Sequence, residues 1–252
     1  MLSNPRAPRL RRERATTSPR RDKRPPMEVF KRLVQDDTIH RISLGEYQAK
    51  VKDVYRGPMG AMLATASMLS LHLPLTERLF RTRAFDLAGM TSILDVGSGA
   101  GQLAQHLIKY GDPGTQITCI DLSQPMLRRA RHRLRGGEPA YVVADLTALP
   151  FADASFDGIT CGYVLEHLPQ PLDGLSELAR VLRRGGRMFL LVTEDSFSGA
   201  WTSRFWCCRT HNRQELMRLC ESLDLHWKKE LWFTQLHRMF RAGGICVEIE
   251  KA

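Results

Sequence analysis

The spacing of apolar residues changes character near residue 91. Residues 27–90 read as helical and carry no strong strand pattern. Beyond them, short apolar runs alternate with amphipathic stretches. "TSILDV" (91–96) predicts a buried strand, and "GAGQLAQHLIKYG" (99–111) predicts a helix with Leu103, Leu107 and Ile108 on one side and a glycine stop. "TQITCID" (115–121) predicts a second strand. "SQPMLRRARHRLRGG" (123–137) follows as a helix with Ser123 at the cap position, Met126, Leu127, Ala130 and Leu134 on one side, and a basic outer face. Strands in "AYVVAD" (140–145), "FDGITCGYVLEHL" (156–168) and "RMFLLVTED" (187–195) come next. Helices in "PLDGLSELARVLRRGG" (171–186) and "NRQELMRLCESLD" (212–224) flank the last of these, the second begun by a capping Asn212. "LHWKKELWF" (225–233) and "GICVEIEKA" (244–252) close the chain as two alternating strands.

Five strand–helix alternations require parallel strands joined by crossover helices. The last two strands, with no helix expected between them, should form an antiparallel pair at or near one edge. The expectation is an α/β fold: a doubly wound, seven-stranded, mostly parallel sheet with an antiparallel last strand and N-terminal helices. Three segments follow: a basic tail (1–26), a helical cap (27–90), and the main domain (91–252) with a lid insert at about 194–211.

The formal charge of +10 suggests a nucleic-acid partner until its distribution is seen. Residues 1–26 hold nine Arg/Lys and two acids, so most of the excess sits there. That tail has one Leu beyond the N-terminal Met-Leu pair and no aromatic residue, too little apolar surface to offset its ordering entropy, so disorder is expected. It reads as a tether to anionic lipid or nucleic acid, as a plainly solvated tail, or as sequence ahead of a start at Met27. No apolar run reaches the roughly 18 residues of a membrane span. "GAMLATASMLSLHLPL" (60–75) reads as a core-facing or lid helix whose interfacial side allows peripheral membrane contact. Six scattered cysteines without a C-x-x-C do not make a zinc site, Cys207, Cys208 and His211 included. No metal is expected, Cys119, Cys161 and Cys246 read as buried hydrophobes, and the usage fits a reducing cytoplasm.

The chemistry concentrates in Asp95-Val96-Gly97-Ser98-Gly99-Ala100-Gly101, at the carboxyl end of the first strand. In doubly wound sheets that is where ligands bind. A phosphate loop needs Lys-Ser/Thr after its last glycine, and none follows Gly101. A dinucleotide fingerprint needs G-x-G-x-x-G, but position 102 is Gln. The remaining pattern, D-x-G-x-G-x-G, resembles that of the class I S-adenosylmethionine-dependent methyltransferases. "CIDLS" with Asp121, "VVADLTALPF" with Asp145, the phrase "LPFADASFDGITCGYVLEHLPQP" (149–171) and "ELARVLRRGGRMFLLV" (177–192) extend the resemblance over about 91–193. The "LPF…SFD…VLRRGGR" style resembles the ubiquinone/menaquinone methyltransferase group and its many small-molecule relatives.

The resemblance implies a Rossmann-like methyltransferase fold and S-adenosylmethionine as cofactor. It assigns Asp95, Gly97, Ser98, Gly99 and Gly101 to the methionine end, Asp121 to the ribose hydroxyls, Leu122 and Met126 to the adenine faces, and Asp145 and Leu146 to the adenine edge. A base is needed only where the acceptor must lose a proton. Tyr163 and His167 are the catalytic candidates. Glu166 and His167 also have a structural reading, as residues that orient the next helix. Trp201, Arg204, Phe205, Trp206 and Arg209 line an acceptor pocket or simply pack the lid. The implied activity is in-line methyl transfer to a small aromatic or lipid-like acceptor. RNA or protein methylation through the tail, and a non-catalytic scaffold, are the competing readings. The sequence argues against nucleic acid, since no N/D-P-P-Y/F tetrapeptide follows the fourth strand, and it carries no sign of oligomeric state.

Overall fold

Strand and helix alternate along the chain in the computed structural model, which describes residues 72–196, 209–240 and 243–252. The tail (1–26), most of the helical cap, Cys207, Cys208 and the aromatic part of the insert lie outside the described residues. The described elements, in chain order, begin with α1 (His72–Arg81), β1 (Ser92–Val96), α2 (Ala104–Tyr110), β2 (Gln116–Asp121), α3 (Gln124–Arg133) and β3 (Ala140–Val143). They continue with β4 (Phe156–Gly162), a 3-10 turn (Leu165–His167), α4 (Pro171–Val181), β5 (Leu182–Val192), α5 (Arg213–Glu221), β6 (Leu225–Glu230), α6 (Gln235–Phe240) and β7 (Ile245–Lys251).

The seven strands lie in the order β3-β2-β1-β4-β5-β7-β6. β1 to β5 are parallel, and β7 runs antiparallel to both β5 and β6. The strand order reverses between β1 and β4, which opens a crevice at the carboxyl end of β1. One expectation fails: a helix, α6, does lie between the last two strands. Because those strands are antiparallel, it spans the top of the sheet without crossing it.

Strand alternation sorts the core into two layers. Leu94, Leu190 and Val192 face α4 and α5, where Leu175, Leu178, Leu216 and Cys220 cover them. Ile93, Phe189 and Leu191 face α1, α2 and α3, under Phe80, Leu107 and Leu127. Phe80, Phe85 and Phe189 form a three-ring cluster with centroids 5.4–6.0 Å apart, which fastens α1 to the sheet. Cys119, Cys161 and Cys246 are buried free thiols within strands.

The "LPF…SFD" phrase is a folding device. Arg180 of α4 donates to the carbonyls of Leu149 and Phe151 and to Asp153 and Glu177, so one guanidinium holds the whole 149–153 loop. Asp157 Oδ2 accepts from the Thr91 N–H (2.9 Å), the Thr91 hydroxyl (2.6 Å) and the Ser92 N–H (3.0 Å), while Oδ1 meets Arg183. That carboxylate ties the start of β1 to β4 and β5. Burial alone would raise its pKa, but Thr91, Arg183 and Ser92 overcome this and hold it below the usual carboxylate range. A depressed folded-state pKa adds stability that is present above the unfolded value and lost as pH falls through the folded one. Asp157→Asn should therefore cost about 2 kcal/mol at neutral pH. The difference from wild type should shrink below about pH 4. Chemical denaturation of both proteins across that range measures it.

Candidate functional site

Three glycines turn the chain at the end of β1, each for its own reason. All have positive φ: +64° at Gly97, +52° at Gly99 and +83° at Gly101. A Cβ on Gly97 would stand 2.3 Å from Val164 Cγ2, so the segment after β4 can close over the loop only if residue 97 is glycine. A Cβ on Gly101 would press on Leu134 and Ala130 of the α3 region. At Gly99 the nearest atom is Gln102 Oε1, at 3.3 Å, which accepts from the Ala100 N–H.

Asp121 fixes this loop. Its Oδ2 accepts from the Gly99 N–H at 2.8 Å and its Oδ1 from the Ser123 N–H at 2.7 Å. A carboxylate has about four acceptor positions, so each oxygen keeps one for a hydroxyl donor. Burial raises this carboxyl, with the Ser123 and Gly99 N–H groups working against the rise. Ser123 stands at the helix start, but its side chain makes no cap bond; the strand-end Asp121 takes the Ser123 N–H instead.

Asp95 is wholly buried beneath the loop. Its Oδ1 accepts from the Thr160 hydroxyl of β4 at 2.7 Å, and its Oδ2 has no donor among the described residues. Burial pushes the carboxyl up to about 6, against the hydrogen bond from Thr160. Asp95 thus fastens β1 to β4 and presents no surface to the cleft, unlike the direct contact the resemblance implied. Ser98 is also buried, its hydroxyl donating to the Asp95 carbonyl and its N–H to that of Ile120.

Leu122 is half-buried, and Met126 is buried yet outside both core layers, with the Arg129 guanidinium against its sulfur. Asp145 Oδ1 accepts from the Thr147 N–H and hydroxyl, a local turn that aims the carboxylate. The Leu146 side chain belongs to the core beneath α4, facing the space Gly174 leaves.

Past β4 the chain carries the catalytic candidates. Tyr163 adopts φ +58°, an uncommon conformation for a bulky residue that costs on the order of 1 kcal/mol. Its N–H donates to the Leu191 carbonyl at 2.7 Å, and it packs against the α1–α3 layer. His167 closes the 3-10 turn, and burial holds its imidazole down to about 4, so the ring is neutral at pH 7. Glu166 is structural. It is buried, and its two oxygens take the hydroxyl (2.7 Å) and N–H (3.1 Å) of Thr193, at the end of β5.

One site-end residue escaped the sequence reading. His211 is buried where the chain returns to the sheet, its N–H donating to Thr193 and its carbonyl accepting from Asp195. Its Nε2 has no partner among the described residues, and burial plus the Arg209 charge hold the imidazole down to about 4. Arg209 anchors the same return: its N–H donates to Glu166 and its guanidinium to Pro169. The contacts join residues 16 to 43 positions apart, so spacing along the chain gave no signal. Among the described residues no His/Cys/Asp/Glu group could hold a metal.

A ligand with a vicinal diol and an aromatic base fits this arrangement: Asp121 has spare acceptors, and the half-buried Leu122 and buried Met126 follow it. Residues 94–190 match the methyltransferase domain family. The chain is 33% identical over 151 residues to a demethylmenaquinone methyltransferase of Clavibacter sepedonicus, covering 60% of each chain. It is 38% identical over 127 residues to a demethylmenaquinone methyltransferase of Thermus thermophilus, covering 48% of this chain and 57% of that one. The match therefore spans less than two thirds of those relatives. In fold, the chain superposes on magnesium protoporphyrin IX methyltransferase from Synechocystis with a TM-score of 0.64 at 15% identity, covering 81% of this chain and 99% of that one. The glycine loop, the strand-end acids and the sheet order agree with that family match: residues 94–190 carry a methyltransferase domain similar to those of the class I S-adenosylmethionine-dependent enzymes.

Proposed function

We propose that this protein transfers a methyl group from S-adenosylmethionine to a small aromatic or lipid-like acceptor. The observation that carries the reading is the Asp121 carboxylate, held between Gly99 and Ser123 with acceptor capacity to spare at the mouth of the crevice. The acceptor class is supported by the demethylmenaquinone methyltransferases it resembles.

S-adenosylmethionine supplies a methyl group already activated on a sulfonium. The protein's work is to align the partners and exclude water. Asp121 and the glycine loop position the ribose and methionine portions. Leu122, Met126 and Asp145 bound the adenine. Asp95 lies under the loop and acts on the ligand's ammonium through its field, which burial strengthens. His167, neutral at pH 7, accepts a proton where the acceptor must lose one, with Tyr163 held beside the same turn. The Glu166–Thr193 pair keeps that turn registered on β5.

Methyl-labelled cofactor incubated with the protein and separated lipid, polar and RNA extracts tests the acceptor. Label in the lipid or aromatic fraction is expected; label confined to RNA overturns the reading. Asp121→Ala should weaken S-adenosylhomocysteine binding by about 1–3 kcal/mol in calorimetry, the usual loss of a charged hydrogen-bond partner.

Asp95 titrates near 6 in the free protein. A bound ammonium favours its ionised form, so affinity should rise several-fold from about pH 5 to 7. That rise should be absent in Asp95→Asn. His167→Gln should lower kcat by about a hundredfold and leave cofactor affinity unchanged. Because the imidazole is held down to about 4, wild-type kcat should stay flat from about pH 6 to 8.

A further inference from the structure

Every amphipathic helix named above except α6 turns its apolar face to the core. On α6, Leu236, Met239 and Phe240 are 64%, 66% and 69% exposed. They stand at i, i+3 and i+4 and so share one face. The orientation is held from the other side. The Phe233 ring is buried and packs edge-on against His237, and the Thr234 hydroxyl bonds His237 Nδ1 at 2.7 Å. A Cβ on Gly243 would meet both rings, so the chain leaving α6 packs close against them. The outward face is thus built in.

Its place is functional. α6 joins the end of β6 to the start of β7, and Ile245 of β7 pairs with Val192 at the end of β5. The helix therefore rides at the carboxyl end of the parallel strands, the end that carries the glycine loop. Its surroundings are cationic. Residues 231–247 contain Arg238 and Arg241 and no acid. The nearby acids of β6 and β7 are already paired: Glu230 with Arg213, Glu248 with Lys229 and Glu250 with Lys228.

We propose that α6 docks on an anionic phospholipid surface, inserting Leu236, Met239 and Phe240 while Arg238 meets the headgroups. An apolar face flanked by cations and free of acids is the composition of an interfacial helix. Stable peripheral binding takes two signals, and the +7 segment at residues 1–26 supplies a second. One face of a six-residue helix is far smaller than the roughly 800 Å² per partner of a stable dimer, which argues against a second copy. Docking would turn the crevice end toward the bilayer. That consequence rests on the lipid-like acceptor proposed above; the docking itself does not.

Vesicle flotation with the full chain, without cofactor or acceptor, tests docking apart from catalysis. Vesicles of phosphatidylcholine containing about a third phosphatidylglycerol should carry the protein up, and pure phosphatidylcholine should do so weakly. The combined Leu236→Ser, Met239→Ser and Phe240→Ser variant should lose tenfold or more in partitioning, on the scale of buried apolar groups withdrawn from lipid. Unchanged thermal unfolding and S-adenosylhomocysteine binding confirm that the variant is folded. Phe240→Trp should show blue-shifted, iodide-shielded emission on the anionic vesicles. Equal partitioning of variant and wild type overturns the proposal, and so does unshifted tryptophan emission. A wild-type dimer abolished by the triple variant, with no vesicle binding, assigns the face to a second copy and overturns it as well.

Discussion

The carboxylate of Asp121 holds the two segments on which the site depends. One oxygen takes the Gly99 N–H and the other the Ser123 N–H. The first bond sets the glycine loop against the end of β2; the second starts α3. Together with the Ser98 N–H bond to the Ile120 carbonyl, this carboxylate sets the loop's distance from the second strand. A single charged group with two oxygens suits the task, because each can serve the fold and still accept from a ligand. Beneath it, Asp95 and Thr160 tie β1 to β4 across the point where the strand order reverses. The crevice opens between elements that are themselves cross-linked.

The three loop glycines then divide the labour. Gly97 admits Val164, Gly101 admits α3, and Gly99 donates its N–H to Asp121. Two of the three thus serve packing. Tyr163 extends the same logic across the crevice. Its backbone is strained, yet its N–H is bonded to Leu191, so the structure around it sustains the conformation.

Much of this was legible in the sequence. Positive φ favours glycine, and the strand-end turns use a carboxylate on a short stem, so D-x-G-x-G-x-G and "CIDLS" stood out in the sequence. The α/β alternation gave the sheet, because each crossover helix must show an apolar stripe to cover it. What escaped has physical causes. Leu146 follows β3 at a bend set by the Asp145–Thr147 turn, so its inward direction does not follow from strand alternation. Ser123 has the right type and place for a cap, but a competing carboxylate holds the helix start. α6 lacked a recognisable stripe because it is short and shows its apolar side to solvent. His211 and Thr193 meet Glu166's segment only through tertiary contact, between positions too far apart for any local pattern to reveal.

Burial has one further effect at this end of the sheet. It biases Asp95, Asp121, His167 and His211 alike toward their neutral forms. For the acids this is a cost that a cationic ligand can reverse, since an opposite charge favours ionisation just where solvent does not. For the histidines the neutral form is already the proton-accepting one, so no proton need leave before the site can act. The same desolvation makes the carboxylates responsive to a positive ligand, and it keeps the imidazoles neutral while lowering their basicity. In a cleft open to water the carboxylates would already be ionised at neutral pH, and no such response would remain.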